Sequence, residues 1–530
     1  MSGNNCRRQV WVVVLTVILT VESLWIFSRD IQAAAQTELD LGRWAAKIHA
    51  GWLGKVAAGS GALKTEMWPK ERIQKTFGIL SAPPQTPTPR GPLDDTTLAF
   101  LGWCTAREHG NGFTTGDIAR EWIDHLTDVD LKGGGFGREF LESLDRLRKG
   151  EKPPLADSSP RAEWIAAQMR SEIWGMLTPG RPSTAAEYAA RDARVFNTGN
   201  GVYAAQFVAA LSSMLMVDMD ITRSIAAGLK EIPGNCLLAR MVRDVVRWHK
   251  NHPESWEKTW QAFVDMYRDR SFEKRLTTWN PEWIIETGGW PEAEVIADYH
   301  GERNVLRTHP FSDTEPAMLT TVAAVPASGG KLKLKVACNE EPPNVDWLLR
   351  VRIGETVREE PIHWIQGRLE WQDFMFDLKP WAGTRVTIVL ENAVFGKFAW
   401  EAGFWAVPEL LDGDGKRLRG KKPMDRQYRY PLEFTPKILP ETFSVLAGLL
   451  YGEGDFRKSV SIATMCGFDT DCNAGTVGCL LGIRNGIEAI PPEWRDPVKD
   501  TYELQVTGFP GLWKIEDLSR QMAETGEALK

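Results

Sequence analysis

Two short acidic clusters are the residues of this chain best suited to chemistry. Asp94 and Asp95 occur within residues 92–97, and Asp469 and Asp471 follow much later. Each pair lies just before a predicted helix, where an acidic side chain commonly caps the helix or interacts with its dipole. Four carboxylates at two helix starts could also converge on hard cations, because Mg²⁺ takes oxygen ligands and two such ions can hold a substrate and a water. Both interpretations stay open for either pair alone.

A row of glycines follows the second pair, at Gly475, Gly478, Gly482 and Gly486. The last three are four residues apart, so they share one stripe of a helix. Glycine lowers helix propensity by about 1 kcal/mol relative to alanine, so a compensating interaction is needed. Close packing of this stripe against another helix is the simplest one. It would hold the Asp469 loop in a compact bundle.

The whole-chain composition limits the class of protein. The chain has 530 residues, of which 43% are hydrophobic and 25% charged, the balance of a soluble globular protein with about two folding units. The formal net charge is −7, and the basic residues form no stripe. We therefore expect no nucleic-acid partner.

The N-terminus has the outline of an export signal. Arg7 and Arg8 precede an apolar stretch, 10–27, and a run of small residues ends at Ala35. This order predicts a signal peptide over 1–35, with cleavage near its end and a secreted or periplasmic protein. The alternative is an uncleaved membrane anchor, because the apolar stretch approaches the roughly 20 residues that span a bilayer. Only in that case do we expect contact with a membrane.

Six cysteines follow the predicted signal, at positions 104, 236, 338, 466, 472 and 479. Their spacing includes no CxxC pair. A chain of this size does not need disulfides even in an oxidising compartment. We predict mostly free, buried thiols.

Hydrophobic periodicity divides the rest of the chain into three parts. Apolar residues at helical spacing predict a first α segment over 40–275 and a second over 434–525. The clearest helices are predicted at 118–126, 164–176, 202–216, 237–249, 439–450, 456–465 and 474–487. Short alternating runs predict strands between these α segments, over 276–433, and residues 331–336 alternate throughout. The strand region therefore reads as an antiparallel β-sandwich inserted into one α domain.

The second acidic cluster also carries a family resemblance. Residues 467–478, followed by 490–494, resemble the C-terminal signature of ADP-ribosylglycohydrolases. The likeness continues in 449–456, in 198–201 and in the early glycines Gly51, Gly54 and Gly59, and it covers about 40–270 and 434–525. The resemblance implies a mainly α protein, an all-α orthogonal bundle with a binuclear magnesium centre in a cleft. Here that bundle would carry the inserted sandwich.

Site residues follow from this resemblance position by position. It implies that Asp94, Asp95, Asp469 and Asp471 are metal ligands, with Asp95 and Asp469 also in the catalytic set. Glu66 resembles the mobile glutamate of the family that binds or activates water at the metals.

The resemblance also implies substrate-binding residues, here Asn200, Gly201 and Asn473. Two hydroxyl-bearing positions of the family differ in this chain, where they are Leu93 and Cys472. Leucine cannot ligate a metal, and a thiol is a soft, poor partner for Mg²⁺. We therefore expect Mg²⁺ as the cofactor and leave open whether one ion or two bind.

The predicted strands carry a resemblance of their own, to jelly-roll sugar-binding modules. It rests on the segments 371–383, 386–390 and 401–405. Tryptophans packed in a sandwich core would give the same pattern as tryptophans that stack on sugars. Both interpretations remain open.

These observations predict an enzyme that hydrolyses an N- or O-glycosidic bond with help from a metal ion. The substrate is a small molecule or a glycan, and ADP-ribosylated protein is one candidate. The predicted export favours an extracellular glycan instead. A third alternative is a non-catalytic protein that keeps the cleft and the sandwich for glycan binding, because two ligand hydroxyls are absent.

Overall fold

The computed structural model of the protein describes residues 39–91, 93–127, 136–155, 161–288, 293–338, 345–363, 370–396, 401–423, 429, 431–435, 437–504 and 506–530. The predicted signal peptide, 1–35, lies outside these residues. The described chain folds as two compact units. Unit 1 combines the described residues within Met1–Met266 and Pro436–Lys530, and unit 2 those within Tyr267–Thr435. None of the described helices is long and apolar enough to cross a membrane.

Unit 1 is helical. Before the strands its α-helices are α1 Leu41–Ala62, α2 Lys70–Phe77, α3 Leu93–His109, α4 Thr115–His125, α5 Arg138–Arg148, α6 Glu172–Leu177, α7 Pro182–Ala193, α8 Gly199–Leu215, α9 Ile221–Lys230, α10 Leu237–Asn251 and α11 Trp256–Tyr267. Helix α12, Arg270–Thr278, opens unit 2. After the strands come α13 Ile438–Tyr451, α14 Phe456–Met465, α15 Thr470–Asn485, α16 Pro492–Arg495 and α17 Ile515–Ala528. A short hairpin, β13 Thr501–Glu503 with β14 Leu512–Lys514, precedes α17.

One predicted helix of unit 1 differs from the structure. Residues 164–176 were expected to be continuous, but a 3₁₀ segment, Ile165–Arg170, precedes the short α6. The carbonyl of Met169 accepts a 2.5 Å hydrogen bond from Nζ of Lys55. In a regular α-helix that oxygen would accept a hydrogen bond from the backbone N–H four residues later. Here the side chain of Lys55, from α1, donates to it instead, and the α-helix begins only after Met169.

The glycine stripe behaves as predicted at two of its positions. A Cβ on Gly478 would meet the Gly54 carbonyl oxygen at 2.4 Å, and one on Gly482 would meet the Ala50 oxygen at 2.1 Å. The backbones of α1 and α15 therefore touch, and only glycine permits this approach. Gly486 is different, because it ends α15 at a φ of +84° and its Cβ would meet nothing within 4 Å. The prediction of packing was wrong for that residue.

Unit 2 contains two antiparallel sheets. Their strands are β1 Ile284–Glu286, β2 Glu294–Tyr299, β3 Glu302–Thr308, β4 Ala317–Ala324, β5 Gly330–Cys338, β6 Trp347–Ile353, β7 Thr356–Ile362, β8 Gln372–Asp377, β9 Arg385–Val394, β10 Gly403–Trp405, β11 Glu409–Asp412 and β12 Gly420–Lys421. One sheet has the order β1-β4-β9-β6-β7, with β12 beside β4. The other has the order β11-β5-β10-β3-β2, with β8 beside β5.

The core of unit 2 lies between its two sheets. Leu332 and Leu334 of β5, at alternate positions, join one buried cluster with Leu349 of β6 and Ile388 of β9. The period-two pattern that predicted β5 is therefore the pattern of its burial. Trp405 belongs to the same cluster, as core packing of the tryptophans predicts. The six cysteines of the described chain are all free, and all but Cys236 are buried.

Candidate metal centre

The first acidic pair lies inside a helix and not before it. Helix α3 begins at Leu93, so Asp94 and Asp95 occupy its first turn, where the helix dipole favours negative charge. Asp94 accepts hydrogen bonds through both oxygens, Oδ1 from the Asp95 backbone N–H at 3.1 Å and Oδ2 from that of Gly137 at 3.0 Å. The segment before α5 thus fixes the orientation of the Asp94 carboxyl.

The second acidic pair lies at the start of α15. Asp469 occupies the N-cap position but its side chain makes no capping hydrogen bond, and Asp471 follows in the first turn. Single ligand atoms of Asp469, Asp471 and Cys472 all lie within 4.8 Å of one another, and all three residues are buried. Their carboxylates and thiol therefore face one common point.

The fold brings the two pairs together. The Cys472 thiol donates a 3.1 Å hydrogen bond to Oδ1 of Asp95, which joins the start of α15 to the start of α3. Repulsion from Asp471 is also among the influences that raise the pKa of Asp94. All four aspartates consequently share one acidic cluster.

Glu66 lies beside this cluster, after the 3₁₀ turn that follows α1. The turn is tied to the Asp469 loop by two hydrogen bonds, from Met67 N–H to the Phe468 carbonyl at 2.8 Å and between the hydroxyls of Thr65 and Thr470 at 3.0 Å. Met67 and Phe468 both have positive φ, at 57° and 64°. Such strained residues persist where the surrounding structure holds them, and they concentrate at functional sites.

The carboxyl groups of the cluster resist ionisation. Desolvation by burial, and then repulsion from Asp471, raise the pKa of Asp94 to about 7, although the Gly137 hydrogen bond opposes them. Desolvation also raises the pKa of Asp95, Asp469 and Asp471 above the ordinary range. The side chain of Glu66 is exposed to solvent overall, but its carboxyl group lies close to the aspartates. Desolvation, and then repulsion from those aspartates, raise the pKa of Glu66 as well.

Several oxygens of the cluster accept no hydrogen bond within the described chain. Asp95 Oδ2, Asp469 Oδ1 and Asp471 Oδ1 are buried there and accept no hydrogen bond from described residues. Among those residues no lysine or arginine forms an ion pair with Asp94, Asp469 or Asp471. Buried polar groups are nearly always satisfied, so unpartnered carboxylate oxygens at one point indicate a cation site. An all-oxygen set of this kind fits a hard divalent ion such as Mg²⁺, whereas the Cys472 sulfur does not.

A buried lysine stands next to the cluster. Nζ of Lys55 lies 3.7 Å from Asp95 Oδ2 and 3.1 Å from Glu172 Oε1, and all three side chains are at most 1% exposed. Desolvation lowers the pKa of this lysine, but Glu172 and then Asp95 more than reverse that effect, so the net shift is upward. Lys55 is thus a fixed positive charge at the back of the site.

A further buried acid, Glu441, lies on the other side of Asp469. Its Oε2 accepts a 2.7 Å hydrogen bond from Nδ2 of Asn473, while its Oε1 is unpartnered among described residues. Desolvation raises the Glu441 pKa to about 8, despite hydrogen bonds from Asn473 and from the Asp469 backbone. Glu441 therefore anchors the first turn of α15.

The predicted substrate-binding residues differ in the partners of their side chains. Asn473 lies in the first turn of α15, and its Oδ1 has no partner in the described chain. Asn200 uses both ends of its amide within the protein, because Nδ2 donates to Glu163 Oε1 at 2.8 Å and Oδ1 accepts from the Leu238 N–H at 3.0 Å. Gly201 is buried, and a Cβ there would meet the Ala162 oxygen at 2.8 Å. In this structure, Asn200 and Gly201 stabilise the start of α8.

Three residues of the site were not predicted: Lys55, Glu172 and Glu441. A lysine within the apolar, glycine-rich run of α1 was a usable signal, since lysine is almost never fully buried unless paired. Glu441 had a weaker signal. It stands in the first turn of a very apolar helix, where an acidic residue is ordinary.

A helical unit with an acidic cluster at two helix starts defines a candidate metal-dependent enzyme. A sequence model of the ADP-ribosylglycohydrolase family matches residues 41–293 and 396–526. The chain therefore belongs to the ADP-ribosylglycohydrolase family. The gap between the matched segments is consistent with an inserted domain, and most of unit 2 falls within it. No curated protein matches the sequence significantly.

Proposed function

We propose that this chain is a metal-dependent hydrolase that cleaves the N- or O-glycosidic bond of an ADP-ribosylated small molecule or protein. The observation that carries the proposal is the convergence of four aspartates, of which Asp95, Asp469 and Asp471 each keep one buried oxygen that accepts no hydrogen bond within the described chain. Membership of a glycosidic-bond hydrolase family supports the reaction class. We also propose that unit 1 has the family's orthogonal bundle arrangement.

The aspartates have the role of holding the cation, with Mg²⁺ as the ion implied by the resemblance. A divalent ion bound there would polarise a substrate oxygen or lower the pKa of a bound water. Asp469 and Asp471 present unpartnered oxygens to the shared point, and Asp94 is held in place by its backbone donors. Asp95 is further oriented by the Cys472 thiol and by Lys55.

Glu66 has the role of handling the proton. It is the exposed acid of the cluster, and the hydrogen bond between Met67 and Phe468 keeps its turn against the Asp469 loop. Its carboxylate accepts a proton from the attacking water.

An exported hydrolase of extracellular glycans is the second candidate. It rests on the predicted signal peptide and on aromatic residues of a second, smaller hydrophobic cluster of unit 2. There Tyr299 stacks on Phe404 with ring centroids 4.4 Å apart, and Trp371 meets Tyr299 edge-on at 6.3 Å. Tyr299 and Trp371 are only partly buried, so their rings offer apolar surface to a sugar.

The experiment that separates these candidates is a parallel assay on the purified protein with and without Mg²⁺. We expect Mg²⁺-dependent release of ADP-ribose from peptides modified on arginine or serine, and no cleavage of aryl glycosides or of plant and algal glycans. The opposite pattern would replace the first candidate with the second. Tight glycan binding without turnover of any substrate would leave only a binding protein.

A Glu66→Gln variant tests the proton-handling residue, with Glu71→Gln as the matched control. Glu71 lies in the first turn of α2 and is exposed. We expect a fall of roughly 10²- to 10⁴-fold in kcat for Glu66→Gln, the usual contribution of a general base. The control should keep wild-type turnover. Wild-type turnover in Glu66→Gln would remove this residue from the mechanism.

A further inference from the structure

Three ligand atoms of different softness meet at the start of α15. The two carboxylates of Asp469 and Asp471 and the sulfur of Cys472 lie within 4.8 Å of one another. Ligands at ~2.0–2.3 Å from one metal ion are at most roughly 4.5 Å apart. The spacing therefore suits a single ion held by two oxygens and one sulfur after a small adjustment.

The carboxylates supply independent support for an ion at this point. Oδ1 of Asp469 and Oδ1 of Asp471 are unpartnered within the described chain, and the two residues are only 7% and 4% exposed. Leaving a charged oxygen buried without a partner is costly. A cation between them would remove that cost for both oxygens at once.

The sulfur of Cys472 has two close neighbours in the described chain. Its Sγ lies 3.6 Å from the Met169 Sδ, so one side of the site is lined by two polarizable sulfurs. On the other side the thiol donates its hydrogen to Asp95 Oδ1 at 3.1 Å. A proton acceptor is thus already in contact with the S–H group.

We propose that this centre binds a borderline divalent ion of the Zn²⁺ or Co²⁺ class through Asp469, Asp471 and the Cys472 thiolate, in preference to Mg²⁺. Thiolate ligands select such ions, whereas carboxylate and water ligands suit Mg²⁺. Binding breaks the S–H bond and forms one Sγ–metal bond, and the proton passes to Asp95 and then to solvent. The inference refines the cation of the proposed function and shares its site.

Cobalt provides the most direct test, because a thiolate bound to Co²⁺ gives a sulfur-to-metal charge-transfer absorption. The metal-free full-length protein is titrated with Co²⁺ alone, alongside Cys472→Ser and Cys472→Ala. Cys104→Ser is the control, since it replaces another buried thiol on α3. We expect the absorption in the wild type and the control, and its loss in both Cys472 variants. Its absence in the wild type would overturn the inference.

Competition between Zn²⁺ and Mg²⁺ gives a second readout that does not depend on activity. Zn²⁺ affinity should fall by at least roughly 10- to 100-fold in Cys472→Ser, while Mg²⁺ affinity does not fall. Equal losses for both ions would show that Cys472 is structural. Mg²⁺-dependent hydrolysis without the cobalt absorption would overturn this inference and keep the proposed function. The absorption without hydrolysis of any substrate would do the reverse.

Discussion

A buried glutamate of unit 2 and two buried aspartates of unit 1 differ in how their negative charge is compensated. In unit 2, Glu391 is 2% exposed and receives hydrogen bonds from Arg350 at 2.9 Å and Arg352 at 2.6 Å. In unit 1, Asp469 and Asp471 are similarly buried, but no described arginine or lysine pairs with either. A paired buried acid maintains the fold around it. An unpaired cluster stores unfavourable energy that a bound cation would release, and this is why we propose a functional role for these acids of unit 1.

Neutralising one acid in each unit should therefore give opposite results, and this is the largest difference we expect. Asp471→Asn should reduce hydrolysis by at least roughly 100-fold, because it removes a cation ligand. The same change should raise the melting temperature of the cation-free protein, since it removes repulsion from the cluster. Steady-state kinetics and calorimetry measure the two effects.

Glu391→Gln is the matched change in unit 2. It should leave hydrolysis unaltered and lower the free energy of unfolding of unit 2 by about 2 kcal/mol, because two charge-assisted hydrogen bonds weaken. The comparison fails if Asp471→Asn keeps its activity, or if both variants lose stability to a similar extent.

The buried Lys55 allows a second contrast, since it is a paired charge within unit 1. Replacing Lys55 with Met leaves Glu172 and Asp95 without the positive charge of the lysine, which should lower the free energy of unfolding by about 3–5 kcal/mol. The double variant with Glu172→Gln should recover part of that loss. Urea unfolding of both proteins measures it. A Lys55→Met protein as stable as the wild type would show that Lys55 does not stabilise the charges of Glu172 and Asp95.

The pH dependence of the cation-free protein gives a smaller effect. The pKa of Asp94 rises from its usual value of 3.8 to about 7 in the folded state. Between those values the unfolded chain releases this proton and the folded chain keeps it. The contribution of Asp94 to the free energy of unfolding is therefore complete below pH 3.8 and declines as pH rises towards 7. Asp94→Asn should flatten the decline. Thermal unfolding across this range measures it, and stability that increases with pH would contradict the assignment.

Most of the fold was predictable because its signals are local. The alternation in β5 and the helical periods of α13 and α14 each describe one face of one element. The glycine stripe predicted close packing of α15 against another helix, and the structure identifies that helix as α1. Gly486 misled that interpretation, since a glycine that ends a helix has the same spacing as one that packs.

The candidate site was predictable only in part. Asp94, Asp95, Asp469 and Asp471 could be selected from the resemblance, but the contact between their helices depends on the whole fold. Lys55 and Glu441 could not be assigned to the site in the same way. Their importance arises from burial beside the aspartates, and burial of a charge is a property of the tertiary structure.

Cation binding by the wild type and by Asp469→Asn tests the central claim most directly. Thermal unfolding of each protein is measured as Mn²⁺ or Mg²⁺ is added to the metal-free form. We expect the wild type to gain about 2.7 kcal/mol when the cation reaches roughly 100 times its dissociation constant, and the variant to gain little. A wild type that no divalent cation stabilises, or a variant stabilised equally, would contradict the claim that these aspartates form a metal centre.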